Sequence, residues 1–259
     1  MINSTDRELA AGRLEKIAQI VRQKRIVRVT ELCRDLAVSP ATIRRDLVEM
    51  EKLGYLNRVH GGAVNIDGRL EEPVFEDKAA LAAKEKQKIA KAALGFIKPG
   101  DSIFLDGGST ILALAGLIQN KTGISVVTNS LIVASTLSGE GPSMIMIGGE
   151  FRRLSQTFVG SLTKSMIGQL HVDTAFMGTI GLTVREGMTT TDPREAQTKE
   201  LVMSSARQVI LLADSSKIGK ISFVRFSLLD EVDVLITDSG VARDELSRLR
   251  KSGIKVIVV

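Results

Sequence analysis

Two sets of residues in this 259-residue sequence have types and spacings suited to chemistry. The first is Ser39-Pro40-Ala41-Thr42-Ile43-Arg44-Arg45. A serine before proline marks a helix start: the hydroxyl accepts one of the orphan first-turn N–H groups, and proline has no N–H to leave unpaired. Arginines placed just after such a start can hydrogen-bond guanine O6 and N7, while the first-turn N–H groups and Thr42 can meet a phosphate or a base edge. The second set is three small polar turns, each following an apolar run: Asp106-Gly107-Gly108-Ser109-Thr110, Thr128-Asn129-Ser130 and Gly148-Gly149-Glu150. Glycine admits a ligand close to the backbone, and a helix start after such a turn offers N–H groups to an anion. The GK[ST] element of a nucleotide-binding P-loop is absent.

Elements must hold these residues in place. Leu14, Ile17, Ile20 and Val21 share a helical face, predicting a helix from Glu8 to Gln23. A short strand at Ile26 to Val29 and a helix at Glu31 to Leu36, capped by Thr30, should follow, with a turn at Ala37-Val38. The helix that begins at Ser39-Pro40 should run to about Leu53 and end at Gly54. Its Ile43, Leu47 and Met50 recur at i, i+4, i+7 and must face inward, which leaves Ser39, Ala41, Thr42, Arg44 and Arg45 at or near the exposed start. Tyr55 to His60 reads as a strand, and Gly61-Gly62-Ala63 as a turn where a second strand folds back. This order is that of a winged helix-turn-helix, whose second helix enters the major groove of DNA. Arg58 and His60 then lie on the wing, suited to backbone or minor-groove contact. The plain alternative for Arg44 and Arg45 is pairing with Asp46 and Glu49 on a solvated helix.

The charge distribution agrees with that assignment. The formal net charge is +5, yet Met1 to His60 alone carries 12 Lys and Arg against 8 Asp and Glu. Hydrophobic residues make up 44% of the chain, too many for a disordered polymer, and aromatics only 3%, too few for a base-stacking or aromatic-lined carbohydrate site. One cysteine, Cys33, excludes a disulfide framework, and with His60 and His171 the only histidines no metal site is expected. No cofactor is expected either. Neither a targeting segment nor a membrane span is legible, so a cytoplasmic protein without membrane contact is expected.

The texture changes near residue 70, where the segment Gly68 to Glu76 contains a glycine, a proline and a charge cluster. The expected division is a DNA-binding domain at 1–67, a linker at 68–78 and a second domain at 79–259. In that domain Ala79 to Phe96 should form one Ala/Lys-rich helix. Apolar runs at Ser102–Leu105, Ser125–Val127, Met144–Ile147, Thr174–Met177, Val209–Leu212, Val234–Ile236 and Lys255–Val258 alternate with helical stretches. That pattern predicts an α/β fold with a parallel sheet covered on both faces, and ligands in such sheets bind beyond the carboxyl ends of the strands. The candidate ligand residues there are Asp106, Gly108, Ser109, Thr110, Thr128, Asn129, Ser130, Gly148, Gly149 and Glu150, with Arg152, Lys199 or Lys217 as cations. Asp173 and Asp192 could bind sugar hydroxyls or cap turns. Lys199 could equally pair with Glu195 at i, i+4 on a surface helix, a contact worth only about 0.2 to 0.5 kcal/mol.

The segment VTELCRDLAVSPATIRRDLVEMEKLGYLNRVHGGA, residues 29 to 63, closely resembles the N-terminal signature of the DeoR family of bacterial sugar-metabolism repressors. Later segments, KIAKAALGFIKPGDSIFLDGGST, VVTNS, MIMIGGE, DTAFMGTIGL, GMTTTDPREAQTKELV and LLADSSKIGK, are similar to that family's effector domain. The resemblance implies a repressor of double-stranded operator DNA, controlled by a phosphorylated sugar or related metabolite and working as a homo-oligomer. It also implies a second domain of the ribose-5-phosphate isomerase type. Those isomerases carry a DGADE-like acidic run after a central strand, whereas Met177-Gly178-Thr179-Ile180-Gly181 offers no acid here. An isomerase needs a positioned base, so the departure favours binding over turnover, and no catalytic residue is assigned. The rival expectation is a sugar-phosphate isomerase or transferase with an accessory DNA-binding module, for which Glu195 would be the candidate base.

Overall fold

The computed structural model describes residues 12–14, 16–21, 24, 26–52, 56–59, 61–64 and 75–259. The chain divides into two units, Met1–Arg69 and Leu70–Val259.

In the first unit, residues 12–14 and 16–21 are helical, and β1 (Ile26–Arg28), α1 (Val29–Leu36), α2 (Pro40–Lys52), β2 (Asn57–Val59) and β3 (Gly62–Val64) follow. The strands form one antiparallel sheet in the order β1-β3-β2. A core of Ile17, Val21, Val27, Leu32, Ile43, Leu47, Met50, Leu56 and Ala63 joins the helices to the sheet. Gly62 is required by this packing, because a Cβ there would lie 2.1 Å from the Val27 carbonyl oxygen across the β1-β3 pair. The expected Thr30 cap is not formed. The helix starts at Val29, with Arg28 in the cap position. Its backbone N–H donates to Glu31 Oε2 at 3.3 Å, and the Val29 N–H donates to the Gly61 carbonyl at 2.9 Å. Pairing with the glycine turn, a tertiary contact, thus starts the helix earlier and places Thr30 inside it.

The second unit is built on a seven-stranded parallel sheet. In chain order its strands are β4 (Ser102–Leu105), β5 (Ser125–Thr128), β6 (Ser143–Met146), β9 (Val172–Met177), β12 (Ala206–Leu212), β14 (Val234–Thr237) and β15 (Lys255–Val258). All seven apolar runs of the sequence are therefore strands. Their spatial order is β15-β14-β12-β9-β4-β5-β6. The chain builds outward from β4 to β6, returns to lay β9 on the other side of β4, and then builds outward to β15. The direction reverses between β4 and β9, and such a switch point opens a crevice at the carboxyl ends of the strands.

Successive side chains of each strand enter opposite cores. Ile103, Leu105, Phe176, Ile210, Leu212 and Ile236 pack on one face. That face is covered by α4 (Ala83–Ala93), α5 (Ser109–Ile118) and α6 (Leu131–Thr136) through residues such as Ile89, Leu114 and Val133. Phe104, Val127, Ala175, Met177, Leu211 and Leu235 pack on the other, against α7 (Ser161–Ile167), α8 (Pro193–Ser204) and α9 (Arg243–Lys251). The sequence pattern did not give the antiparallel hairpin of β7 (Glu150–Arg152) and β8 (Thr157–Val159). It also did not give the small sheet of β10 (Gly181–Thr183), β11 (Gly187–Thr190) and β13 (Val224–Ser227).

The single helix expected from Ala79 to Phe96 is two helices, α3 (Phe75–Ala80) and α4, and a 3-10 turn at Leu94–Phe96. The break is at Ala82, in the left-handed region with φ 53°. The Lys86 ammonium donates to the carbonyls of Lys78 and Leu81 and satisfies the end of α3. No glycine or proline marks this break; the Lys86 side chain, five and eight residues on from the carbonyls it binds, caps it. Among the described residues no helix is long and apolar enough to cross a membrane.

Candidate functional sites

In α2 the Ser39 hydroxyl accepts the Thr42 N–H at 3.2 Å and lies 2.9 Å from the Thr42 hydroxyl. Ile43, Leu47 and Met50 are buried, so the helix start is anchored from below. Ser39, Ala41, Arg44 and Arg45 are exposed and Thr42 is half-buried. Arg44 and Arg45 do not pair with Asp46. That carboxylate is buried and takes Arg13 at 2.6 and 3.0 Å, a two-pronged bond that holds the Arg13 guanidinium above its ordinary value. Among the described residues neither Arg44 nor Arg45 has an ion-pair partner. Arg58 differs, because its Nε donates to Glu51 at 2.7 Å and its N–H to the same carboxylate at 2.9 Å. Those bonds draw the Glu51 carboxyl below its usual range. His60 lies outside the described residues.

A cleft opens in the second unit at the switch point. Its lining comes from the turns after three adjacent strands: Gly107–Ile111 after β4, Gly178–Ile180 after β9 and Ala213, Asp214 and Lys217 after β12. Lys78 of α3, Ser155 of the β7-β8 hairpin, Thr190 of β11, and Glu195 and Lys199 of α8 complete it. It encloses about 50 Å³, several times what one water requires. Gly108 precedes α5 with φ 133°, a conformation that side-chain-bearing residues rarely adopt. Glycine suits the turn that brings Ser109, Thr110 and Ile111, the first residues of α5, to the cleft.

Beneath the turn, Asp106 and Lys199 form a buried ion pair, 3% and 4% exposed. Asp106 Oδ2 also accepts the Gly178 N–H at 2.9 Å, and the Lys199 ammonium donates to the Gly178 carbonyl at 3.2 Å and sits 5.4 Å from the Phe226 ring centroid. The pair therefore ties β4, β9 and α8 together. Asp214 caps the 3-10 turn at Ser215–Lys217 by accepting the Ser216 N–H at 3.0 Å. Burial pulls the nearby Lys86 ammonium below its ordinary value; Asp214 opposes this, and Lys217 and Lys78 add to it.

Of the residues expected at the site, Gly108, Ser109, Thr110, Lys199 and Lys217 line this cleft, with Asp106 directly below. Thr128, Asn129, Ser130, Gly148, Gly149, Glu150 and Arg152 do not line it. Thr128 and Ser130 are fully buried: the Thr128 hydroxyl donates to the Leu105 carbonyl at 2.7 Å, and Ser130 caps α6. Asn129 donates to the Phe158 carbonyl at 2.8 Å, and among the described residues its Oδ1 has no hydrogen-bond partner. The Gly148 carbonyl takes the Thr163 hydroxyl at 2.8 Å, Gly149 packs against Thr163, and Glu150 pairs with Arg194. Arg152 reaches the cleft indirectly, with its Nη1 3.8 Å from Glu195.

Asp173 binds Ser102 at the opposite end of the sheet. Asp192 caps α8, and the Arg194 hydrogen bonds overcome the effect of burial to hold its carboxyl down at about 2. The sequence reading missed Lys78, Ser155, Thr179, Thr190 and Asp214. Asp214-Ser215-Ser216 repeats the acid-then-small-polar character of the β4 turn and was a usable signal; Lys78, in an Ala/Lys-rich helix, had none. Gly178–Ile180 brings no carboxylate to the cleft. Among the described residues no cluster of His, Cys, Asp and Glu could hold a metal ion.

Comparison with known proteins matches both units. Residues 13–69 match the DeoR-like helix-turn-helix domain, and residues 81–239 the DeoR C terminal sensor domain. The lactose phosphotransferase system repressor of Streptococcus mutans is 39% identical over 243 residues, covering 92% of this chain and 96% of that protein. An HTH-type transcriptional regulator of Haloferax volcanii is 35% identical over 249 residues, covering 96% and 98%. Among solved structures, ribose 5-phosphate isomerase A of Methanocaldococcus jannaschii is 18% identical, covering 51% of this chain and 53% of its own, with a TM-score of 0.38. With a family domain matched in each unit and relatives aligned over nearly the full length, the chain belongs to the DeoR family.

Proposed function

We propose that this protein is a transcriptional repressor of a sugar-metabolism operon, which binds double-stranded operator DNA through α2 and releases it when a phosphorylated sugar or related metabolite occupies the switch-point cleft. The observation that carries the reading is the cleft itself. It brings Ser109 and Thr110, at the start of α5, together with Lys78 and Lys217, residues that can supply N–H, hydroxyl and ammonium donors to a phosphate. Both relatives are named for regulation, one as the repressor of a sugar uptake system. In the DNA-binding domain, taken as 1–67, Ser39, Ala41, Thr42, Arg44 and Arg45 face the duplex, with Arg58 and His60 on the wing. The connection to the effector-binding and oligomerisation domain, taken as 68–78 before a domain at 79–259, ends inside α3, whose Lys78 already lines the cleft. Symmetric pairs on repeated half-sites are the usual way that such modules act, so the working form is a cytoplasmic homo-oligomer.

Operator DNA and effector should weaken each other reciprocally, because both bias one equilibrium. Saturating sugar phosphate should lower operator affinity by about 5- to 150-fold. Lys217→Ala removes a cation from the cleft and leaves α2 untouched, so it should bind the operator normally and lose the response. Titrations of labelled operator with and without a panel of sugar monophosphates test this; a Lys217→Ala protein that responds as the wild type does would place the effector elsewhere.

A further inference from the structure

The cleft contains a carboxylate that phosphate binding does not call for. Glu195 is 6% exposed and lines the cleft from α8, one turn before Lys199. Its Oε2 accepts the Thr190 hydroxyl at 2.6 Å and lies 3.8 Å from Arg152 Nη1. Arg152 is itself fixed, donating to Thr191 at 3.1 Å and to Asp192 at 3.3 Å. Two neighbours from two separate strands, β11 and β7, thus set the direction in which this carboxylate points.

A buried carboxylate beside an anion site repels the anion; Arg152 offsets part of that charge, and a hydrogen bond from the ligand would offset more. An ionised carboxylate only accepts hydrogen bonds. In a phosphorylated sugar the groups that can supply a donor to it are hydroxyls and, in an amino sugar, an amine or amide N–H; hydroxyls are common to the whole class. The chemistry of the cleft is therefore divided: donors and cations on the turns after β4 and β12, and a fixed acceptor on α8.

We propose that Glu195, oriented by Thr190 and Arg152, is a specificity-determining residue that reads a hydroxyl of the effector. This rests on the reading of the cleft as a phosphate site. The effector class is then a sugar or polyol phosphate carrying a hydroxyl at the position that faces Glu195. Its analogue without that hydroxyl forgoes this hydrogen bond and binds more weakly, the discrimination expected when a polar site meets a ligand that lacks the matching group.

The test is calorimetric titration of the full chain with inorganic phosphate and with pentose and hexose monophosphates, each alongside its monodeoxy analogues. A hydrogen bond to a charged acceptor predicts that one deoxy analogue binds the wild type about 10- to 150-fold more weakly than its parent. Glu195→Gln should erase most of that ratio while binding inorganic phosphate as well as or better than the wild type, because a repelling charge has gone. Thr190→Val, which keeps the charge and loosens its aim, should shrink the ratio by a smaller factor. Operator binding without ligand serves as the check that each variant is folded. A ratio that survives Glu195→Gln overturns the assignment, as does an equal loss for inorganic phosphate and sugar phosphates, which would make Glu195 a structural strut. A wild type that binds sugar phosphates with no deoxy discrimination overturns it too and leaves the phosphate reading standing. A wild type that binds neither inorganic phosphate nor any sugar phosphate removes both.

Discussion

The two units hold their cations in opposite ways. On α2, Arg44 and Arg45 are exposed and, among the described residues, without ion-pair partners. In the cleft, Lys199 is 4% exposed and locked to Asp106 and to the Gly178 carbonyl. A duplex presents a continuous row of phosphates and base edges, so side chains that read it are left solvated and find their partners on binding. A cleft for a small ligand must be formed before the ligand arrives, and charges at its floor have to be neutralised within the fold. The same residue class is thus left solvated in one unit and serves as a structural tie in the other.

That contrast is sharpest in stability. Lys199→Met should strand the Asp106 charge in the interior and cost about 3 to 5 kcal/mol in the urea unfolding of the second unit. Adding Asp106→Leu should recover most of the loss, since an apolar pair of similar volume is tolerated where a lone charge is not. A loss under about 1 kcal/mol for Lys199→Met would class the pair with surface ion pairs and dissolve the contrast. Arg44→Ala should leave stability within about 0.5 kcal/mol and cost about 1 to 3 kcal/mol of operator affinity, with a far smaller loss on random DNA. Equal losses on both duplexes would reduce Arg44 to a phosphate contact.

The smallest effect concerns the start of α8. Asp192 is held at about 2, below the ordinary carboxylate value of 3.8: burial pushes it up, and hydrogen bonds from Arg194 and from the first turn of α8 outweigh that push. A depressed carboxylate stabilises the fold above its unfolded pKa, and that contribution is lost as pH falls from about 4 towards 2. Arg194→Ala should flatten this part of the acid limb in a pH series of thermal melts by lowering the melting temperature slightly near pH 7 and leaving it unchanged below about pH 2, and the difference should be small because Arg194 is half-exposed. An acid limb identical to the wild type's would show that the backbone N–H bonds of the helix start suffice.

What was legible in the sequence was local. The Ser39-Pro40 cap, the inward spacing of Ile43, Leu47 and Met50 and the glycine turn at Gly61-Gly62 each depend on neighbours a few residues away, and each is found as expected. The β4 turn was legible too, because glycines followed by hydroxyls and an apolar helix form a local pattern. The start of α1 was not, since a carbonyl from the Gly61 turn sets it; nor was the break at Ala82, where a side chain rather than a glycine or proline, the usual marks of a helix end, caps the chain. The site suffered in the same way. Consecutive strand ends at β4, β5 and β6 looked like one surface, yet the chain reverses after β6 and puts β9 and then β12 on the far side of β4. The cleft therefore gathers Gly178–Ile180 and Asp214, while Thr128–Ser130 and Gly148–Glu150 lie one and two strands away from the switch point.

By itself the sequence determined two units of different texture, a basic helix start suited to a duplex, seven strands of one parallel sheet and membership of a family whose signature runs through most of the chain. Periodicity, capping chemistry and composition act over a few residues, and they survive being read in one dimension. Only the tertiary structure decided which strand ends become neighbours, that Lys199 meets an acid 93 positions away, that Lys78 joins the cleft, and that Glu195 is aimed by Thr190 and Arg152. Strand order is fixed by how crossovers pack both faces of the sheet at once, a condition on the whole domain that no local run of residues records.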